Sequence, residues 1–358
     1  MPSRLAVLAL AGTCGVSMLG HAEDLGDDTS IEIERSWSQE SEGWTYPMAI
    51  RVPDGEPPKG GFPVCILLHG NGGNGPGTLN QFERLLSNHA LVAPSGYQNS
   101  WNICRENSDA PDVSMIEELV GILKGFDNVN PAAIRLLGLS NGASLANRVL
   151  LEVDEPAIDT VCSVVSQLSD VMARGDRFHR PKGETSQKLP FCGYLEEHTP
   201  PTGRRYLGIS NENDNIIPYA GGWSPVGLAF LDSRVAAYQV ARAQGYRGDP
   251  ILGDGIEIGD TDVFEYAYPN DQVVHLRGFA VHGMNGTQRE YIAEFLSTWP
   301  VEDEADDPDL NRDGRVDGAD LGLLVAAWGQ PTPNLDGDRP VDGGDLGILL
   351  AAWSDSAP

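Results

Sequence analysis

The stretch "GLSNGASLANRV", residues 138–149, decides how the rest of the chain is interpreted. It places Ser140 between Gly138 and Gly142, directly after an apolar run. Glycine fills 42 of 358 positions. Roughly 0.3 such serines are therefore expected by chance, and the pentapeptide alone is weak evidence. If a buried strand precedes it and a helix follows, Ser140 sits on a tight elbow that lifts its hydroxyl above a sheet.

Strand-like and helical patterns alternate on both sides of this stretch. The continuous apolar run at 62–68 is typical of a strand buried on both faces. This alternation predicts an α/β fold with a mostly parallel sheet and helices on both faces. The predicted strands are residues 31–37, 44–52, 62–68, 90–94, 134–139, 158–165, 205–209, 263–268 and 273–279, and the predicted helices are 113–126, 144–152, 232–244 and 287–299.

A serine nucleophile needs a base and an acid that orients the base, and on such a sheet they follow in the order Ser, acid, His. The loop after the strand at 205–209 offers two acids, Glu212 and Asp214. Asp214 is favoured because the adjacent apolar residues 216–219 can anchor it. Of the histidines that follow, His275 lies within a predicted strand, whereas His282 lies on the loop before the last helix. We therefore predict His282 as the base and His275 as a structural residue.

Donors for an oxyanion are expected from the glycine-rich loop "HGNGG" at 69–73 and from the start of the helix after Ser140. Asn71 and Asn141 are the predicted backbone donors, and His69 is predicted to be structural. No cofactor is expected for this chemistry.

At this point a resemblance can be named. Residues 62–300 resemble secreted α/β-hydrolases of the polyhydroxybutyrate depolymerase-like and feruloyl esterase-like type. The matching segments are "LLHGNGGNG", "SWNICRENSDAPDVSMIEEL", "NPAAIRLLGLSNGASLANRVL", "NDNIIPYAGG" and "VHGMNG". The resemblance implies an α/β-hydrolase fold with Ser140, Asp214 and His282 as a catalytic triad. It also implies that Trp101 and Asn102 lie near the substrate cleft.

The composition limits partners and location. A net charge of −28 would repel nucleic acid and anionic membrane surfaces, so neither is expected as a partner. Residues 1–22 read as a secretory signal peptide, with a lipoprotein anchor at Cys14 as the alternative. No later apolar run reaches the ~20 residues of a membrane span. The mature protein is expected to be secreted, or attached to a cell surface through its C-terminal module.

Four cysteines remain after the signal peptide, and four cysteines allow three pairings. Cys65 and Cys162 lie in apolar strand-like runs and are expected to be buried thiols. Cys104 and Cys192 lie in loop-like sequence and are the favoured disulfide in an oxidising compartment. Cys192 belongs to residues 170–203, a polar segment without periodicity, which we predict to be a lid or a wall of the substrate cleft.

The chain repeats itself at its end. "DLNRDGRVDGADLGLLVAAWG", from Asp309, recurs 25 residues later as "NLDGDRPVDGGDLGILLAAWS", from Asn334. Each copy places oxygen-bearing side chains at positions 1, 3, 5, 9 and 12 of a twelve-residue loop, a spacing typical of calcium loops, with a backbone carbonyl at position 7. The predicted calcium ligands are Asp309, Asn311, Asp313, Arg315, Asp317 and Asp320, then Asn334, Asp336, Asp338, Pro340, Asp342 and Asp345.

The two loop-then-helix copies resemble a dockerin, a small all-α module with two structural Ca²⁺ ions. The resemblance implies a cohesin-like partner bound through residues 309–354. The domain prediction is therefore a signal peptide at 1–22, a hydrolase domain at 23–300, an acidic linker at 301–308 and a dockerin-like domain at 309–358.

These features together predict a secreted serine carboxylesterase that removes feruloyl or acetyl groups from polysaccharides. One alternative is a polyhydroxyalkanoate depolymerase such as a polyhydroxybutyrate depolymerase. The other is a non-catalytic binding module on a hydrolase scaffold.

Overall fold

The computed structural model describes residues 23–183, 185–269, 272–297, 307–311, 313–328, 335, 341 and 343–353. The predicted signal peptide and most of the acidic linker lie outside these residues. The strands are β1 (Glu34–Trp37), β2 (Glu40–Thr45), β3 (Met48–Arg51), β4 (Phe62–Leu68), β5 (Ala90–Pro94), β6 (Val129–Leu139), β7 (Ile158–Val164), β8 (Ala173–Arg174), β9 (Arg177–Arg180), β10 (Glu196–His198), β11 (Arg205–Asn211), β12 (Gly222–Trp223), β13 (Ala229–Phe230), β14 (Ile256–Glu257), β15 (Phe264–Ala267) and β16 (Val273–Gly278).

Seven α-helices are described among these residues. All four of the helices predicted before residue 300 are present with shifted ends. Helix α1 was not predicted, since its "GPGTLNQF" sequence begins with two glycines and a proline. The helices are α1 (Gly75–Phe82), α2 (Asp112–Leu123), α3 (Asn141–Glu152), α4 (Ser233–Ala243), α5 (Gly286–Ser297), α6 (Gly318–Ala326) and α7 (Gly343–Ala351).

A nine-stranded sheet forms the centre of the molecule, in the order β14-β15-β16-β11-β7-β6-β4-β5-β3. The six strands from β16 to β5 are parallel. Strand β3 is antiparallel at one edge, and β15 and β14 are antiparallel at the other. The protein is thus a mixed α/β structure with a large, mostly parallel sheet, consistent with an α/β-hydrolase fold.

Both faces of this sheet are buried. Successive side chains of a strand point to opposite faces, so each central strand contributes to two apolar clusters. On β4, Val64, Ile66 and Leu68 join one apolar cluster, together with Leu136 of β6. Cys65 and Leu67 point the other way into a second cluster. Burial on both faces explains why the central strands have continuous apolar sequences.

Two sequence predictions need correction. The strand predicted at 44–52 is interrupted at Tyr46 and Pro47. Its first half, β2, pairs with β1, and its second half, β3, joins the large sheet. Residues 170–203 are not an irregular loop, because β8, β9 and β10 form a small antiparallel sheet there.

The C-terminal repeat forms two short helices, α6 and α7, that pack on each other around a core of their own. The core contains equivalent residues of the two copies, 25 positions apart in sequence: Val316 with Val341, and Leu324 with Leu349. The internal repeat is therefore matched by equivalent packing. Among the described residues, no helix is both long and apolar enough to cross a membrane.

Candidate active site

Ser140 occupies the turn between β6 and α3, as the sequence predicts. Its backbone has φ 51° and ψ −113°, a strained conformation for a residue with a Cβ, and such strain occurs at functional sites. The flanking glycines are required for steric reasons. A Cβ on Gly138 would lie 2.2 Å from the Gly142 carbonyl oxygen, and one on Gly142 would lie 2.3 Å from the Leu68 oxygen.

The three residues predicted as a triad come together in the structure. The distance between Ser140 Oγ and His282 Nε2 is 2.8 Å, and the distance between His282 Nδ1 and Asp214 Oδ2 is also 2.8 Å. These residues are separated by 142 and 68 positions in sequence. The geometry is that of a hydroxyl hydrogen-bonded to an imidazole which is oriented by a carboxylate.

Asp214 is fixed on both of its oxygens. Oδ1 accepts hydrogen bonds from the N–H groups of Ile216 and Ile217, at 2.8 and 3.0 Å, and Oδ2 faces His282. Burial by itself would raise the pKa of Asp214, but the hydrogen bond with His282 and those from the two N–H groups hold it below its usual value. The carboxylate is therefore charged at neutral pH.

The competing acid and histidines have other roles. Glu212 faces Arg277, with 3.3 Å between their charged groups.

His275 is buried in β16, between the Gly208 carbonyl and the Tyr219 hydroxyl, and burial lowers its pKa to about 3. His69 Nε2 accepts a hydrogen bond from the Gly96 N–H, and burial lowers its pKa as well. The structure places His69 and His275 as neutral structural residues.

The predicted oxyanion donors, Asn71 and Asn141, both border the cavity at Ser140. Asn141 is the first residue of α3, where backbone N–H groups have no partner within the helix. The Asn141 side chain holds the backbone of Trp101 through both its oxygen and its nitrogen. The Asn71 side chain accepts a hydrogen bond from Ser100. These bonds tie Asn71 and Asn141 to the same segment, Ser100 and Trp101.

A network that the sequence did not reveal connects the acid loop to the base loop. Asn211 is fully buried at the end of β11, and its Nδ2 donates to the carbonyl of Gly283, next to His282, at 2.8 Å. Gln288 donates to Asn211 Oδ1 at 2.8 Å and exchanges hydrogen bonds with Asn285. Only its local part has a sequence signal, since Asn285-x-x-Gln288 fits a capping box at the start of α5.

Next to Ser140 lies a cavity of about 270 Å³. Its lining has an apolar part and a polar part. The polar side includes the hydrogen-bonded hydroxyls of Ser144 and Ser166, 2.7 Å apart. The apolar wall comprises Ile103, Ile217, Val226, Leu228 and Phe230.

Trp101 and Asn102 do not border this cavity. Both are buried behind its wall, where Trp101 Nε1 donates to the His69 carbonyl at 2.8 Å and Asn102 contacts Thr185. The residues that follow them, 103–107, form the wall itself.

The predicted disulfide between Cys104 and Cys192 is present, and Cys65 and Cys162 are buried free cysteines. The disulfide joins the segment 170–203 to the cavity wall through Cys104, which borders the cavity. Tyr194 also donates to the Ile103 carbonyl at 3.0 Å. None of the described residues of 170–203 borders the cavity, so the segment supports a wall instead of forming one.

In the first predicted calcium loop, carboxylate side chains accept hydrogen bonds from the backbone of the loop itself. Asp309 accepts hydrogen bonds from the N–H groups of Asp313 and Gly314, and Gly314 has φ +87°. Asp320 accepts N–H bonds from Asn311 and Asp317. The donors are the hard oxygens that calcium prefers. Within the described residues, however, no group of three or more His, Cys, Asp or Glu side chains is arranged to hold a metal ion.

The second predicted loop lies largely outside the described residues, including Asn334, Asp336, Asp338, Pro340 and Asp342. Asp345 is described, and its carboxylate accepts the N–H of Leu335 at 2.6 Å. It occupies the position in its copy that Asp320 occupies in the first.

No protein-family model matches the chain, and no curated protein matches it. The chain is similar to the structure of acetyl xylan esterase from Aspergillus awamori, at 13% identity and a TM-score of 0.46, covering 69% of this chain and 93% of that one. It is also similar to a carboxylesterase from Mesorhizobium loti, at 12% identity and a TM-score of 0.43, covering 71% and 95%. A Bacillus cereus carboxylesterase shares 16% identity at a TM-score of 0.41, covering 70% and 93%. At such low identities and scores these likenesses assign no activity to this chain.

Proposed function

We propose that this chain is a secreted serine carboxylesterase that removes acyl groups, such as feruloyl or acetyl, from polysaccharides. The observation that carries the proposal is the pair of 2.8 Å contacts linking Ser140 to His282 and His282 to Asp214. The strained elbow under Ser140 and the adjoining cavity support it.

Acylation follows from this geometry. His282 Nε2 takes the proton of Ser140 as Oγ attacks the ester carbonyl carbon. Asp214, charged and fixed, accepts the Nδ1–H and stabilises the imidazolium that forms. The tetrahedral oxyanion is stabilised by the N–H groups of Asn71 and Asn141, with the N-terminus of α3 adding a favourable dipole. The carbonyl then re-forms, and His282 donates its proton to the leaving alcohol.

Deacylation repeats these roles with water as the nucleophile. His282 takes a proton from the water as it attacks the acyl group on Ser140. The second tetrahedral intermediate collapses, Ser140 regains its proton from His282, and the free acid leaves. No step needs a metal ion or an organic cofactor, so none is assigned to the reaction.

The cavity supports an acyl group that is at least partly apolar. A polysaccharide is too large for a space of about 270 Å³, so we place the acyl group inside and the sugar outside. The apolar wall would contact an aromatic or aliphatic acyl chain. The hydroxyls of Ser144 and Ser166 would meet a polar substituent of the acyl group. A hydroxybutyrate unit of a polyester is the alternative occupant.

The test is hydrolysis of methyl ferulate, acetylated xylan and a hydroxybutyrate oligomer, with Ser140→Ala as the matched control. The proposal is supported if the native chain cleaves methyl ferulate or acetylated xylan and the Ser140→Ala variant does not. Preference for the oligomer would favour the depolymerase. If neither protein cleaves any substrate and a fluorophosphonate leaves Ser140 unlabelled, the scaffold is a binding module and the proposal is wrong.

We further propose that residues 309–354 are a dockerin-like anchor that binds two Ca²⁺ ions through the two repeated loops and attaches the enzyme to a cohesin-like protein. The equivalent packing of the two repeats and the oxygen donors of the first loop support this. We expect EDTA to unfold this module and to leave the hydrolase domain folded. Circular dichroism and a melting profile that do not change in EDTA would refute the calcium assignment.

A further inference from the structure

Two side chains meet at the mouth of the cavity. Arg105 borders the cavity, and its guanidinium carbon lies 5.7 Å from the centre of the Trp223 ring. Trp223 is 67% exposed, which is unusual for so large an apolar side chain. It lies outside the cavity itself. The pair therefore faces whatever part of a substrate extends beyond the enclosed space.

The loop that carries Trp223 is held in a defined position. Trp223 belongs to the hairpin of β12 and β13, and Ser224 within it donates from Oγ to the Ile216 carbonyl at 2.5 Å. At Gly227, with φ +82°, a Cβ would lie 2.7 Å from the Arg105 side chain. The absence of a side chain at Gly227 therefore leaves room for Arg105, which crosses the hairpin at this point to reach Trp223.

Arg105 brings a positive charge to the edge of the cavity. Among the described residues that border the cavity, Arg105 is the only basic one and Glu106 the only acidic one. One Glu106 oxygen accepts the backbone N–H groups of Ile103, Cys104 and Arg105, and the other accepts from Asn141. Among the described residues, no carboxylate lies within ion-pair distance of Arg105, although the chain has 52 acidic residues against 24 basic ones.

We propose that Arg105 and Trp223 form a subsite for an acidic sugar, a uronate residue, in the polysaccharide that carries the ester. The guanidinium would hold the carboxylate through a forked pair of hydrogen bonds. The indole would pack against the apolar face of the sugar ring. The inference rests on the proposed esterase function, since it assigns the sugar to the outside of the acyl cavity.

The first test measures binding without hydrolysis. The full-length Ser140→Ala chain is titrated with an oligogalacturonide and with the same oligosaccharide after its carboxyl groups are reduced to alcohols. We expect the acidic form to bind about 10- to 100-fold more tightly, as for a hydrogen-bonded charged pair. Adding Arg105→Gln should abolish this ratio, and Arg105→Lys should retain part of it. Adding Trp223→Ala should weaken binding of both forms.

The matched control is Arg84→Gln, which removes one positive charge from a separate surface depression and should leave the ratio unchanged. Equal binding of the two oligosaccharides, or a ratio that survives Arg105→Gln, overturns the inference. Loss of the ratio in Arg84→Gln would also overturn it, because a general charge effect would then be the cause. Because binding is read without catalysis, an absence of esterase activity in the native chain would refute the proposed function separately.

Discussion

Replacing Asp214 with Asn tests the proposed mechanism most directly. The asparagine keeps the shape of the side chain but has one acceptor oxygen, where Asp214 uses two. The N–H groups of Ile216 and Ile217 both point to Oδ1, so the amide oxygen will occupy that position and the NH₂ group will face His282. The imidazole must then accept at Nδ1 and carry its proton on Nε2, so it cannot take the proton of Ser140.

The size of the effect can be worked out from these contacts. The opposite amide orientation would turn the NH₂ group toward two N–H donors and leave both unsatisfied, at about 1–3 kcal/mol each. The inactive tautomer is therefore favoured by at least ~30-fold. Loss of the carboxylate charge beside the imidazolium adds to this. We expect kcat to fall by between ~30-fold and ~10⁴-fold, the upper value being that of a triad whose acid is replaced in this way.

The assay is hydrolysis of 4-nitrophenyl acetate, together with urea unfolding to confirm that Asp214→Asn is folded. Glu212→Gln is the matched control, because it removes a carboxylate two residues away that pairs with Arg277 and is 39% exposed. Its kcat should stay within about 2-fold of the native value. A folded Asp214→Asn protein with less than ~10-fold loss would refute the assigned role of Asp214.

Three further predictions concern stability. Burial raises the pKa of Asp112 to about 7, so the folded state holds a proton that the unfolded state releases near pH 4. Stability from this group should fall as pH rises from 4 to 7, by up to about 4 kcal/mol, and Asp112→Asn should flatten the pH dependence of the urea midpoint. Identical slopes would contradict this. Replacing Cys104 and Cys192 with Ser should cost about 2–5 kcal/mol by urea unfolding, with Cys65→Ala as a control that removes a thiol and keeps the disulfide. An unchanged midpoint in the double variant would contradict it. Asn211→Ala should cost about 1–3 kcal/mol and lower kcat, because the Gly283 carbonyl loses its donor. A native kcat in a destabilised Asn211→Ala protein would show that the network does not position His282.

Much of the fold was predictable because its signals are local. A strand buried on both faces has a continuous apolar sequence. The elbow at Ser140 was predictable from the flanking glycines together with the apolar run before them and the helical pattern after them. The order of serine, acid and histidine follows from the direction of a parallel sheet. Choosing Asp214 over Glu212 was also predictable, because the apolar residues that anchor its loop are its neighbours in sequence.

Other features depend on residues that are distant in sequence. The walls of the cavity come from residues 103–107 and 217–230, and no pattern within either segment indicates that the two meet. For the same reason the sequence suggested that residues 170–203 border the cleft. In the structure, none of the described residues of this segment borders the cavity, and the segment is linked to its wall through the disulfide.

The sequence by itself determined the elements, the catalytic candidates and the C-terminal repeat, because each depends on side chains within a few residues of one another. Only the tertiary structure decided that the strand predicted around Pro47 is divided between two sheets. It also decided that Asn211 and Gln288 hold the loop of His282, and that Arg105 contacts Trp223. The contacts of Asn211 and of Arg105 join residues that are 72 to 118 positions apart in sequence. They form only when the sheet has brought those segments together, and no local periodicity records them.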